Sequence, residues 1–168
     1  MDRLWSPWRL QYVTKGDTGE AGCVFCDVPD PLSSESLVVF TGNTCYVVLN
    51  LYPYNNGHLM VVPHRHVASL AALTGAEMDE IGRLTQRCET ALTEAYHPHG
   101  FNVGVNLGKS AGAGVLGHVH VHVVPRWNGD SNFMTVIGET RVLPEALEAA
   151  AERLRPIFSR LAADSTTI

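Results

Sequence analysis

The sequence predicts an α+β fold, a five-stranded antiparallel sheet with two main helices. Two observations carry the prediction. Five short apolar runs of strand character are separated by turn residues, and two longer stretches repeat their apolar residues every three to four positions. Their order is three strands, a helix, two strands and a helix, which lacks the alternation of a doubly wound parallel sheet. A length of 168 residues with 45% hydrophobic and 17% charged content suits one domain with a real core.

Residues 1–22 read as an N-terminal arm, irregular because Leu4-Trp5-Ser6-Pro7-Trp8-Arg9 is aromatic and broken by proline. Residues 27–36 form a Pro/Ser/Asp loop. The first strand is expected over Leu37–Phe40 and the second over Cys45–Leu49, with Thr41-Gly42-Asn43 as the turn between them. Pro53, Asn55, Asn56 and Gly57 make Asn50–Gly57 a loop, and His58–Val62 is a third strand stopped by Pro63. From Thr74 to Tyr96 the residues Met78, Ile81, Leu84, Cys88, Ala91, Leu92 and Ala95 recur at helical spacing. Thr74 with Glu77 supplies a capping box, and His97-Pro98-His99-Gly100 ends the helix. Phe101–Leu107 is the fourth strand, Gly108–Gly117 a glycine-rich loop and His118–Pro125 the fifth strand. A polar turn over Arg126–Asn132 precedes a second helix from Pro144 to Leu161. The single domain, 1–168, thus divides into the arm, a core over 23–128 and a C-terminal loop and helix over 129–168.

The formal net charge of −5, with 12 lysines and arginines scattered along the chain, argues against a nucleic-acid surface. No apolar run approaches the roughly 20 residues of a membrane span. The start, Met1-Asp2-Arg3-Leu4-Trp5, lacks a secretory apolar segment, so the expected location is the cytoplasm. In that compartment Cys23-Val-Phe-Cys26 reads as a metal or redox pair, whereas Cys45 and Cys88 sit in apolar contexts and read as core. Trp5, Trp8 and Trp127 are read as core or interface surface ahead of base stacking.

The chemistry is concentrated in His118-Val-His120-Val-His122. On a strand the three imidazoles share one face and Val119, Val121 and Val123 the other. Such a row serves either a metal that activates water or a nucleophile flanked by phosphate-binding groups. The preceding loop favours the second reading. Gly108-Lys109-Ser110-Ala111-Gly112-Ala113-Gly114 offers small residues and exposed N–H groups for phosphate oxygens, without the ending of a Walker A loop.

His118-Val-His120-Val-His122-Val-Val resembles the signature of the histidine triad (HIT) superfamily of nucleotidyl hydrolases and transferases. Asn50-Leu-Tyr-Pro-Tyr-Asn-Asn-Gly57-His58-Leu-Met-Val-Val-Pro63 looks like that family's nucleotide-binding segment. The flanks Leu-Trp-Ser-Pro-Trp-Arg and Val-Pro-Arg-Trp127-Asn-Gly-Asp130-Ser-Asn132-Phe133-Met134 are similar to a bacterial branch of diadenosine tetraphosphate phosphorylases. The resemblance implies that His120 attacks the α-phosphorus of a dinucleoside polyphosphate, giving a nucleotidyl-histidine that water or inorganic phosphate then resolves. It further implies that His122, His58, Asn106 and the loop at Gly108, Lys109, Ser110 and Gly114 hold the phosphates. Asn50 would hold the ribose, with Val48 and Met60 beside the base; Mg2+ would travel with the polyphosphate. One departure stands out. Gly114 and Val115 occupy positions where relatives often carry Gln, Ser or Thr against the phosphate, so backbone groups must do more here.

Zinc needs four ligands, and His64, His66 and His118 are the candidates to complete Cys23 and Cys26. The resemblance to zinc-bearing relatives selects Cys23, Cys26, His66 and His118, a closed structural site that leaves His64 exposed. It also implies a homodimer or higher homo-oligomer. The alternatives carried forward are an adenosine phosphoramidate hydrolase, a slow-turnover nucleotide-binding regulatory protein and, behind these, a zinc-hydroxide hydrolase.

Overall fold

The computed structural model describes residues 22–28, 36–130 and 145–164. Its sheet comprises β1 (Val38–Thr41), β2 (Cys45–Leu49), β3 (Leu59–Pro63), β4 (Gly100–Val105) and β5 (Val121–Arg126), in the order β1-β2-β3-β5-β4. Every neighbouring pair is antiparallel. The helices are α1 (Gly75–Tyr96) and α2 (Leu147–Asp164). The α+β architecture expected from the element order is therefore present. The N-terminal arm apart from Gly22, and the residue Pro144, lie outside the described residues.

Strand alternation decides which side chains meet the helices. Cys45, Val47, Leu49, Leu59, Val61, Val121 and Val123 pack with Leu84, Cys88, Leu92, Leu154 and Phe158 in the main core. Tyr46, Val48, Met60 and Val62 form a second cluster with Val38 and Phe25. In β2 and β3 the members of the two clusters alternate along the chain, so the second cluster occupies the opposite sheet face. Cys45 and Cys88 are both 0% exposed, and burial pushes the Cys45 thiol up to about 11 and Cys88 higher still. Both are inert core residues.

The capping box on α1 forms as written in the sequence. The Glu77 N–H donates to the Thr74 hydroxyl (3.3 Å), and the Glu77 carboxylate accepts from the Thr74 N–H (2.7 Å). His97 closes the helix in the left-handed region (φ 47°).

Glu80, buried on α1, has a role that helical periodicity did not reveal. Its carboxylate accepts from the backbone N–H groups of Asn43 (2.9 Å), Thr44 (2.5 Å) and Cys45 (3.0 Å), and from the Thr44 hydroxyl. It thereby pins the β1–β2 turn to the helix. Gly42 is required there, because a Cβ would lie 2.5 Å from Glu80 Oε1 and 2.9 Å from the Cys45 carbonyl. Burial opposes ionisation of Glu80, but these hydrogen bonds outweigh it and hold the carboxyl below its usual range. Glu80→Ala is expected to destabilise the domain by about 2 kcal/mol, since the turn loses its acceptor. Urea denaturation of the variant checks this. The carboxylate's contribution should be complete above the usual carboxylate range and fade as pH falls through the lower folded value.

The histidine strand begins later than expected. The β3–β5 ladder runs from Leu59↔Val123 to Val61↔Val121 and stops there. Beyond it Pro63 has no N–H to offer, and its carbonyl accepts from His118 Nε2 at 2.8 Å. The Val119 N–H turns instead to the Val67 carbonyl, 2.7 Å away. Only His122 of the three histidines lies within the ladder; His118 and His120 precede it.

Candidate active site

A cavity of about 300 Å³ opens above the second cluster. Its apolar lining includes Val24, Phe25, Val28, Leu37, Val48 and Met60; its polar lining includes Asn50, Asn106, Gly114, His120 and His122. The structure thus brings together His120, His122, Asn50, Asn106 and Gly114 from the expected site, with Val48 and Met60 beside them.

His120 is held by one bond with a clear consequence. Its Nδ1 lies 2.9 Å from the His118 carbonyl, which can only accept, so Nδ1 carries the hydrogen. Burial pushes the imidazole below its usual range, against the opposing pull of that carbonyl. At neutral pH the ring is uncharged, and the lone pair is on Nε2. This is the form that a nucleophile needs.

His58 is placed differently from expectation. It is 0% exposed and is not part of the cavity lining. The backbone N–H of Tyr54 donates to His58 Nδ1 (3.0 Å), so neutral His58 carries its hydrogen on Nε2. That hydrogen points to His122 Nδ1, 3.0 Å away. His122 Nδ1 therefore accepts, which leaves Nε2–H as the donor of His122. His58 thus stands behind His122 and fixes its tautomer. A histidine can be so ordered because the loop Tyr54–Gly57 folds back; Gly57 takes φ +72° where a Cβ would crowd Leu92 and Tyr96. His58→Ala is expected to lower kcat by about 10- to 100-fold with little change in KM, because His122 keeps its place but loses its fixed hydrogen. Steady-state kinetics checks the split.

The glycine-rich loop is also narrower in its reach. Gly108, Lys109 and Ser110 are exposed and do not line the cavity. The N–H groups of Gly112 and Ala113 donate to Lys109 and Gly108 carbonyls at 3.0 and 3.3 Å, closing a short 3-10 turn over Lys109–Ala111. Gly112, Gly114 and Val115 are left at the cavity. Trp127 is not in the cavity either; its indole N–H donates to the Tyr96 carbonyl at 3.4 Å.

Cys23, Cys26, His66 and His118 converge, with their ligand atoms all within 4.8 Å of one another. Cys23 Sγ lies 3.4 Å from His118 Nδ1, and Cys26 Sγ lies 3.3 Å from His66 Nδ1 and 3.6 Å from His118 Nδ1. In a tetrahedral zinc site with Zn–S about 2.3 Å and Zn–N about 2.0 Å, sulfur and nitrogen ligands sit about 3.5 Å apart. The set fits. His118 also has the outer partner that a metal-bound imidazole needs, since its Nε2–H donates to the Pro63 carbonyl and leaves Nδ1 for the metal. His64 stays outside, exposed, with its Nε2 on the Gly42 carbonyl. Among the described residues no carboxylate cluster is set apart for Mg2+.

The HIT domain model matches residues 32–129, more than half of the sequence. The chain belongs to the HIT domain family. HIT relatives extend the likeness beyond the domain. An AP-4-A phosphorylase of Mycobacterium tuberculosis is 43% identical over 167 residues, covering 95% of this chain and 86% of the relative. A bis(5'-adenosyl)-triphosphatase of Dictyostelium discoideum is 30% identical over 133 residues, covering 76% and 89%. Among solved structures, a zinc-bound histidine triad family protein from Mycobacterium smegmatis superposes with a TM-score of 0.66 at 26% identity, covering 85% of this HIT chain and 97% of that one. No helix among the described residues is long and apolar enough to cross a membrane.

Proposed function

We propose that this HIT protein cleaves dinucleoside polyphosphates by nucleotidyl transfer to His120, and that phosphate is the second nucleophile. The observation that carries the reading is the orientation of His120: a neutral imidazole in the cavity lining, its Nδ1–H fixed on the His118 carbonyl and its Nε2 lone pair left for attack. The relatives named as AP-4-A phosphorylase and bis(5'-adenosyl)-triphosphatase support the same substrate class.

In this mechanism His120 Nε2 forms a bond to the α-phosphorus as the bond to the bridging oxygen breaks. The leaving polyphosphate takes that electron pair, and the bridging oxygen becomes a terminal one. His122 Nε2–H steadies the charge on the phosphoryl oxygens, helped by Asn106 and by backbone groups at Gly114 and Val115. Asn50 lends its amide to the loop, accepting from the Tyr52 N–H at 3.0 Å, and has hydrogen-bonding capacity over for a ribose hydroxyl. Inorganic phosphate then attacks the same phosphorus and frees His120.

Zinc is the metal that two thiolates and two imidazoles suit, and the four ligands leave no open position. When bound it supplies a fixed point for the fold. The second partner is another copy of the chain: among the described residues β4 ends the sheet, which leaves one of its backbone edges for a further strand. Sedimentation velocity checks that part of the reading.

Incubation with diadenosine tetraphosphate, with and without inorganic phosphate, tests the function. The expected result is ADP and ATP only when phosphate is present. AMP and ATP without phosphate would make water the second nucleophile. Nucleotide binding without cleavage would overturn the enzymatic reading in favour of a regulatory protein.

A further inference from the structure

The turn from Cys23 to Val28 takes part in two sites at once. Cys23 and Cys26 belong to the metal set, while Val24, Phe25 and Val28 line the cavity. Other lining residues come from the sheet, among them Val48 and Met60, with which Phe25 packs. Part of the cavity lining thus belongs to a hydrogen-bonded sheet, and part to a short turn.

Phe25 is the residue in which the two sites meet. It is 8% exposed, and its ring centroid lies 4.8 Å from that of His120 and 5.6 Å from that of His118. It touches the proposed nucleophile and a metal ligand together. The turn is closed by the N–H groups of Cys26 and Asp27 on the Cys23 carbonyl (2.8 and 2.9 Å), and tied to the sheet by the Tyr46 hydroxyl on the Phe25 carbonyl (2.7 Å). Holding each residue of such a turn in one conformation costs backbone entropy. Bonds from a metal to Cys23 and Cys26 would fix both ends of the Val24–Phe25 dipeptide against His66 and His118.

We propose that the Cys23–Val28 turn links the two sites, with Phe25 as its positioning residue: metal sets the wall against which the nucleotide packs, and nucleotide in turn secures the metal. The proposal rests on the nucleotide-binding reading and on the Cys2His2 set. Linkage is reciprocal, so the factor by which metal tightens nucleotide binding equals the factor by which nucleotide tightens metal binding. Couplings of this kind commonly reach about 10-fold.

Zinc-loaded protein, with AMP as the probe, provides the test. Zinc transfer to a chromophoric chelator is followed at rising AMP concentration, and AMP affinity is measured for loaded and stripped protein. AMP is expected to raise the apparent zinc affinity about 10-fold, and stripping is expected to weaken AMP binding by the same factor. Phe25→Ala should keep zinc yet lose the effect of AMP on it, and Phe25→Leu should restore part of that effect. Should the alanine variant fail to fold, the unaltered chain still decides the matter through its zinc transfer. Zinc transfer indifferent to saturating AMP overturns the linkage and leaves the nucleotide reading standing. Failure of AMP to bind the loaded protein overturns both, and a protein that retains no zinc overturns the linkage.

Discussion

Replacing His120 by alanine is expected to lower turnover of diadenosine tetraphosphate by about 10⁴-fold or more, the scale on which loss of a covalent nucleophile is felt. Nucleotide affinity should change far less. The bonds that join Asn50, Tyr52, Tyr54, His58 and His122 do not use the His120 side chain. Phe25 and His122 each lose an aromatic neighbour at 4.8 Å, so a small rise in KM accompanies the loss of kcat. Rapid quenching of the wild-type reaction, followed by intact mass measurement, should show a nucleotidyl adduct that the variant lacks. Undiminished turnover in the variant would remove His120 from the mechanism. His122→Ala gives a useful contrast, since the nucleophile remains while a donor to the phosphoryl oxygens is gone. Its loss should be nearer about 10²- to 10³-fold, with the adduct still detectable.

What the sequence made legible and what it hid follow from the range of the interactions concerned. The elements of the sheet and helices are local patterns, and the capping box of Thr74 and Glu77 needs only residues three apart. The ligand set Cys23, Cys26, His66 and His118 was legible because the resemblance supplied the pairing that spacing leaves open between His64 and His66. The contact of His58 with His122 spans 64 positions and depends on how the Asn50–Gly57 loop folds back. The resemblance put His58 near phosphate but carried no information about which histidine stands in front. The late start of β5 has a signal that could have been read: Pro63 cannot donate to a ladder, so pairing opposite it was bound to lapse. Glu80 offered little. A glutamate beside Ile81 looks like the edge of a solvated face until the β1–β2 turn, some 36 residues away, is seen to need an acceptor. Phe25 was hidden by the motif itself, because attention to the two cysteines makes the residues between them look like spacers.

Removing the metal should act first on stability. If zinc is held at about 1,000 times its dissociation constant, its binding contributes about 4 kcal/mol to the folded state. For a domain of this length that corresponds to a fall in Tm of roughly 10 °C on chelation. The effect should depend on zinc concentration and should vanish in Cys26→Ala, whose Tm with and without chelator coincides. The chain is not expected to unfold outright, unlike an isolated zinc finger. The sheet and both helices share a core that contains none of the four ligands, from Val47 and Leu59 to Leu92 and Phe158. What loosens is the opposite face of the sheet, where Phe25 packs with Tyr46, Val48, Met60 and Val62. His118 connects this to the chemistry, since its side chain belongs to the metal set and its carbonyl holds the Nδ1–H of His120. A metal held by these ligands would reach the proposed nucleophile through His118 and the cavity wall through the Cys23–Val28 turn, without lining the cavity itself. Scanning calorimetry with and without chelator, beside a zinc content measured on the same sample, checks the prediction. A stripped protein with an unchanged Tm and no activity would instead give the metal a direct part in the reaction.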